Sequence, residues 1–484
     1  MNWQRTATTW LLIVPLFAGC IHNTMAPEEA VLPGETQEPA LQDERLIIND
    51  PAVLDARVRY TSRPLFIQMK ETPGRELAPS LKPRGTELTL VGEVEPPTVD
   101  GLVVQANDID IRGKRALVAY NFAGDLFAGA VQVIDFKHPD RPRLISEVLF
   151  RNADVNAVAL QGSRVYVGLA SSDPALKTPA LMEELKLAGS GLHRTGRWVD
   201  LPSWAVTDLA ACGKHIVAAV GARSGGVALV ERDRPRLHVD AYAEQEDVRG
   251  IDFGGARSLV AVCGTRPRMG QLHLPDLSSK GMYEVDGYRN DAAKGTVEVH
   301  ADLCYLGAGE GGFQVRRPDG ELLAALRQSD FSNLRPDLMV TNAVSVHGHL
   351  AFVAAGALGV QVVDVSGAKR LAHGGDDGRG GALRVLGELG FEDGMSSNMV
   401  KSKNHVLVVA AGLGGVKLVK MGRMGDDDGD DDDGEADDDA DGEDGGDDDS
   451  DDDGDDDSDD DDDADSDDDD DGDSDDDDGT GTMR

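Results

Sequence analysis

One segment constrains the fold of this 484-residue chain more than any other. Residues 342–365 read Asn-Ala-Val-Ser-Val-His-Gly-His-Leu-Ala-Phe-Val-Ala-Ala-Gly-Ala-Leu-Gly-Val-Gln-Val-Val-Asp-Val. Apolar residues stand at every second position through much of it, and glycines interrupt it at 348 and again near 356–359. Alternation of this kind sends successive side chains to opposite faces of a strand, so the segment predicts strand, tight turn, strand, glycine turn, strand. The pattern returns over 398–419 and 108–135, and more weakly from 156, 206, 251 and 297. Seven copies result, with turns near 113, 162, 213, 255, 302, 348 and 403 and spacings of 42 to 55 residues.

A repeat of this length made only of strands predicts a β-propeller, in which radial packing leaves each blade short, protected edges. A fourth strand recurs at 143–148 and 383–389, and also at Leu88–Val94, ahead of the first full copy. The last copy stops at Met421 with no fourth strand after it, so Leu88–Val94 is expected to close the ring as the outer strand of the last blade. The expected fold class is therefore all-β: a seven-bladed propeller of four-stranded blades over residues 86–421, closed by an N-terminal strand and followed by a disordered acidic tail. A count of six or eight follows if one weak copy is wrongly included or missed. Residues 171–196 read as an insertion in the second blade. Residues 45–85, with short apolar stretches at 46–48 and 65–67, are expected to pack beside the ring.

The Gly-Val-Gln-Val-Val-Asp-Val-Ser run at 359–366, together with residues 342–419 and 106–150, resembles the LVIVD-repeat family of bacterial extracellular propellers. That resemblance implies the fold and no defined chemistry, since one fold hosts many functions.

Net charge separates the two ends of the chain. Residues 425–484 hold 39 of the 89 acidic residues and one of the 47 basic ones, which leaves 50 acidic and 46 basic residues before them. The formal charge of -42 is thus a property of the tail, and the body carries only about -4. Such a segment has too little apolar surface to offset the entropy of ordering, so disorder is expected over 425–484. Carboxylates suit Ca²⁺ and Mg²⁺. Asp437, Asp439 and Asp441 resemble the opening of a calcium loop, although Asp448 stands where such a loop has Glu, and diffuse Ca²⁺ association is the expectation.

At the other end, Arg5 is followed by the apolar run 10–17 and by Ala18-Gly19-Cys20. A basic start, a short apolar run and a small-residue exit read as a secretory signal over 1–19, too short to span a bilayer. The ending resembles the lipobox of bacterial lipoproteins, departing from it in Phe17. The resemblance implies lipidation at Cys20, and Ile21 in place of Asp implies outer-membrane sorting. The expectation is an outer-membrane lipoprotein of the bacterial envelope, facing the periplasm or the cell surface. Residues 20–44 form its stalk, the lipid bilayer is reached through acyl groups on Cys20, and an envelope protein or polysaccharide is the partner.

Catalytic signals are missing from the sequence. It has no His-Glu-x-x-His pattern, no Gly-x-Ser-x-Gly elbow and no phosphate loop, so no catalytic or cofactor-binding residue is assigned. His347 and His349 flank a turn and His215 follows one, which makes them turn residues. Asp135 and Asp364 end equivalent strands, where Asp caps backbone two residues on. Asp208 and Asp252 are candidates to line the central channel and coordinate an ion. Cys212, Cys263 and Cys304 fall in successive copies; buried small hydrophobes is the preferred reading, and a Cys212–Cys263 bridge is the alternative. Nucleic acid is not expected as a partner, because basic blocks are missing. A binding or scaffold module is the leading expectation. Its rivals are a surface protein making calcium-dependent contacts through the tail, and an enzyme with a site at the channel mouth.

Overall fold

The computed structural model describes residues 44–65 and 87–422, apart from 190, 222–223, 256, 265, 288–293, 328–339, 376–382, 390, 392–395 and 404. The expectations placed on residues 1–43 and 425–484, including Cys20, Asp437, Asp439 and Asp441, lie outside them.

Seven antiparallel sheets form the described body. Their first strands are Gln105–Arg112, Ala153–Gln161, Val206–Cys212, Val248–Phe253, Thr296–His300, Ala343–His347 and Met399–Lys403. Each first strand packs on the first strand of the next sheet, and the seventh packs on the first, so the sheets are the blades of a closed ring. We number the blades one to seven in that order. The expected seven-bladed propeller is the fold.

The first hairpin of each blade turns at a residue that accepts a left-handed backbone, in most blades a glycine. Gly113, Gly162, Gly213, Gly255 and Gly348 all have positive φ, and in blade five Ala301 and Asp302 take that role. The second strands, such as Arg115–Asn121 and Val406–Ala410, are buried on both faces. They therefore read as nearly continuous apolar runs in which the alternation fades.

Closure follows the expected route. Leu88–Val94 pairs with Val416–Met421, running from Leu88 opposite Met421 to Val94 opposite Val416. The segment before it adds a fifth strand to each of the two blades that meet at the closure. Val58–Leu65 lies outside Leu88–Val94 on blade seven, and Arg45–Ile48 lies outside Arg143–Phe150 on blade one. A short helix, Pro51–Asp55, joins these two strands and is capped by Asp50. Ion pairs fasten the segment down. Buried Arg45 lies over the Phe150 ring and pairs with Glu183 of blade two at 3.2 Å, while Arg57 pairs with Glu147 at 2.5 Å.

One expectation fails within the ring. The stretch 171–196 is not an insertion, because Ala180–Ala188 and Gly191–Asp200 are the third and fourth strands of blade two. Glu183 and Glu184 disguise the first of them. Both are buried and paired with arginines, so two charges sit where the sequence pattern demands apolar side chains.

Candidate functional site

The first strands leave their inner edges without a neighbouring strand, so their backbone groups need other partners. Side chains supply them in two tiers. In the first tier, amides at the heads of the strands reach the next blade. Asn107 donates to Val155 O at 3.1 Å, Asn342 to Ser397 O at 3.1 Å, and Asn398 to Ala106 O at 3.0 Å. Thr207 does the same with its hydroxyl, donating to Val248 O at 2.7 Å.

In the second tier, acceptors one to three residues further along take backbone N–H groups of the next blade. Asp108 accepts from Val158 at 3.0 Å and Asp110 from Leu160 at 2.7 Å. Asp208 accepts from Ile251 at 2.9 Å, Asp252 from Val299 at 2.7 Å, and Glu298 from Val346 at 2.7 Å. Between blades six and seven, Ser345 Oγ accepts from Ser402 N at 3.0 Å.

These strands enclose the central channel, and all seven blades line its cavity. Asp208 and Asp252 are both there, as expected, together with Asp108, Asp110, Arg112 and Lys401. Burial pushes the Asp252 carboxyl up to about 6, with the Lys401 ammonium opposing the rise. Burial and the neighbouring Asp108 also push Asp208 upward, against Lys294 and two backbone N–H groups. Burial works against the Lys401 ammonium, but Glu298 and Asp252 prevail and hold it above the usual lysine range.

Two lysines bridge blades that are not neighbours. Lys401 of blade seven reaches Glu298 of blade five at 2.8 Å. Lys294, just ahead of blade five, reaches across to blade one, where it donates to Asp108 Oδ1 at 2.6 Å and to Asn107 O at 2.8 Å. The aspartates expected as possible ion ligands are thus staples between blades with lysine counter-charges. Among the described residues no three His, Cys, Asp or Glu side chains gather in a metal-binding arrangement.

The remaining candidates are structural. Asp135 Oδ1 accepts from Lys137 N at 2.7 Å and Asp364 Oδ1 from Ser366 N at 2.9 Å, the expected caps two residues on. His215, His347 and His349 lie at first-hairpin turns, and the His347 ring meets His405 of the next turn edge-on at 6.1 Å. No disulfide joins Cys212 to Cys263, since all three described cysteines are free thiols. Cys263 and Cys304 are buried, and burial raises both thiols to about 12, which keeps them as unreactive small hydrophobes.

Sequence reasoning missed Lys294, Glu298, Lys401 and the amide tier. The amides did leave a signal, because Asn107, Asn156, Asn342 and Asn398 stand at one position of the repeat. The lysines left none, since nothing local to 294 or 401 predicts a partner two or three blades away.

No protein-family model matches this chain, and no curated protein matches it. Solved structures do resemble it. The RRP9 WD40 repeats are 12% identical, with a TM-score of 0.47 over 66% of this chain and 94% of that one. U3-55K is 12% identical, with a TM-score of 0.48 over 66% and 95%. The WD40 propeller domain of Doa1 is 9% identical, with a TM-score of 0.47 over 69% and 97%.

The envelope-lipoprotein reading is corrected. Two of these three similar structures are named as WD40 repeats or a WD40 propeller, and none of the three is named as a lipoprotein or envelope protein. Among the described residues no helix is long and apolar enough to cross a membrane. Membrane attachment through acyl groups on Cys20, an outer-membrane location, and an envelope protein or polysaccharide as partner are withdrawn. The fold is a seven-bladed β-propeller, distantly similar to WD40-repeat propellers.

Proposed function

We propose that this propeller is a non-catalytic scaffold that binds a polypeptide partner on the face where its blades cross over, here called the loop face. One observation carries the reading. Leu126, between the second and third strands of blade one, is 57% exposed. Its neighbour Phe127 faces Trp204, from the crossover into blade three, with ring centroids 6.2 Å apart. Both rings are half-buried. An exposed large apolar side chain beside half-buried aromatics is the make-up of an interface anchor. The engagement of the channel carboxylates in joining blades supports binding over catalysis. The likeness of residues 342–419 and 106–150 to LVIVD-repeat propellers supports the ring geometry alone.

Co-purification from extract tests the reading with the full chain, Leu126→Asp, and a chain ending at Met424. A partner held by the full chain and lost from Leu126→Asp is the expected result. Equal recovery by the variant would place recognition elsewhere, and loss on truncation would assign it to residues 425–484.

The 39 acidic residues of that segment favour a second reading, calcium-dependent contact through diffuse cation association that includes Asp437, Asp439 and Asp441. Calorimetric titration of the full chain with Ca²⁺ tests it. An identical response from the chain ending at Met424 would remove the segment as the sensor.

A further inference from the structure

The loop-face mouth of the channel holds a cation that belongs to neither neighbouring blade. Lys294 extends from the head of blade five to blade one, and its ammonium sits between Asp108 Oδ1 and the Asn107 carbonyl. The surroundings suit an ammonium closely. Asp108 is only 2% exposed, and Asp208, in the same cavity, lies near enough to interact with both Asp108 and Lys294. Asn107 is 8% exposed, and its side-chain Oδ1 is buried without a hydrogen-bond partner. An ammonium has three donors, and Lys294 spends two of them here.

Lys294 is not what closes the ring. Strand pairing closes it at Leu88–Val94, and the amide and carboxylate tiers join neighbouring blades in its first-strand layer. Its own tie spans non-adjacent blades through one flexible four-carbon stem. Without a cation, Asp108 would be a buried carboxylate lacking its counter-charge, which is costly, so the pocket favours a replacement ammonium.

We propose that the channel mouth is a lysine-receiving pocket, in which Lys294 is a tethered occupant that a lysine side chain of the polypeptide partner displaces. This rests on the polypeptide-binding reading and names the chemistry its partner presents. A tethered competitor acts at a local concentration in the millimolar range, so removing it should tighten binding of a free lysine peptide by about tenfold.

The test uses the full chain and the peptide acetyl-Gly-Gly-Lys-Gly-Gly-amide, with the Nε-acetylated peptide as control. The acidic residues 425–484 attract the cationic peptide equally in every variant, so differences between variants report the channel. Lys294→Met should bind about tenfold tighter than the native chain. Adding Asp108→Asn, or acetylating the peptide lysine, should abolish that gain. Equal binding by Lys294→Met and the native chain, or a gain that survives acetylation, overturns the proposal. A second measurement needs no variant. Peptide should raise the rate at which acetic anhydride labels Lys294 in the native chain, read by mass spectrometry, and an unchanged rate counts against displacement. If Leu126→Asp loses its partner while these measurements show no effect, the scaffold reading stands and the lysine pocket falls.

Discussion

Asn398 illustrates how single residues hold this ring together. Its amide donates to Ala106 O, joining the last blade to the first across 292 residues of sequence. Replacement by alanine leaves that carbonyl buried and deprived of its side-chain donor. Asn398→Ala should therefore lower stability by about 1–3 kcal/mol, measured by urea denaturation. The hairpin glycines differ among themselves for equally local reasons. Gly113 has φ 53° with open space where a Cβ would stand, so Gly113→Ala carries only the left-handed backbone cost of about 1–2 kcal/mol. Gly415 has φ 69°, and a Cβ there would run into the carbonyl of Val94 on the closing strand. Gly415→Ala should cost more than Gly113→Ala, and a reversed order in thermal unfolding would mean that the closing strand yields easily.

At the scale of elements, blades five to seven share a loop that joins each to its successor. The sequences are Ala308-Gly-Glu-Gly-Gly312, Ala355-Gly-Ala-Leu-Gly359 and Ala411-Gly-Leu-Gly-Gly415. In each, the alanine N–H bonds the last glycine's carbonyl at 2.8–2.9 Å. The second residue of each loop then bridges to the approach of the next first strand: Gly309 to Thr341, Gly356 to Ser397, and Gly412 to Ala106. The N-terminal strands play unequal parts in the closure. Val58–Leu65 and Arg45–Ile48 extend blades already complete, whereas Leu88–Val94 is the fourth strand of blade seven. Removing residues through Leu65 should lower the melting temperature and keep one cooperative transition. Removing residues through Val94 should leave a three-stranded blade with an open edge and broaden or split that transition in calorimetry.

The whole molecule should respond to pH in two opposite windows. Burial raises Asp252 to about 6 and Asp154 to about 7, and raises Asp208 as well. A carboxyl whose folded pKa lies above its unfolded value favours the folded state most at low pH, and that contribution is lost as pH rises through the folded value. Between about pH 5 and pH 8 these three groups make stability fall. Glu93 and Asp364 are shifted the other way. Burial opposes their ionisation, but Lys417 and Arg59 around Glu93, and Ser366 and Arg384 around Asp364, outweigh it. Their contribution is present above the ordinary carboxylate range and is lost on acidification through their lowered folded values. Urea midpoints should therefore be higher at pH 5 than at pH 8 and fall again at strongly acidic pH. A midpoint that rises steadily from pH 5 to pH 8 would contradict the assignment of Asp154, Asp208 and Asp252 as buried carboxyls.

The first hairpin of every blade, its turn position, the count of seven blades and closure by Leu88–Val94 were legible in the sequence. Each depends on periodicity and glycine placement within a few residues, which local sterics dictate. Asp208 and Asp252 could be placed at the channel for the same reason, by their register in a first strand. The sequence did not reveal what these carboxylates do, because their partners Ile251 and Val299 come from the next blades, 43 and 47 residues away. Blade two was misread where buried Glu183 and Glu184 break the apolar pattern and are balanced by arginines distant in sequence. Lys294 makes the same point most sharply, since 186 residues separate it from Asp108. Local alternation is set along the chain, but pairing of charges across a ring is set by which blades face one another, and only the closed tertiary structure decides that.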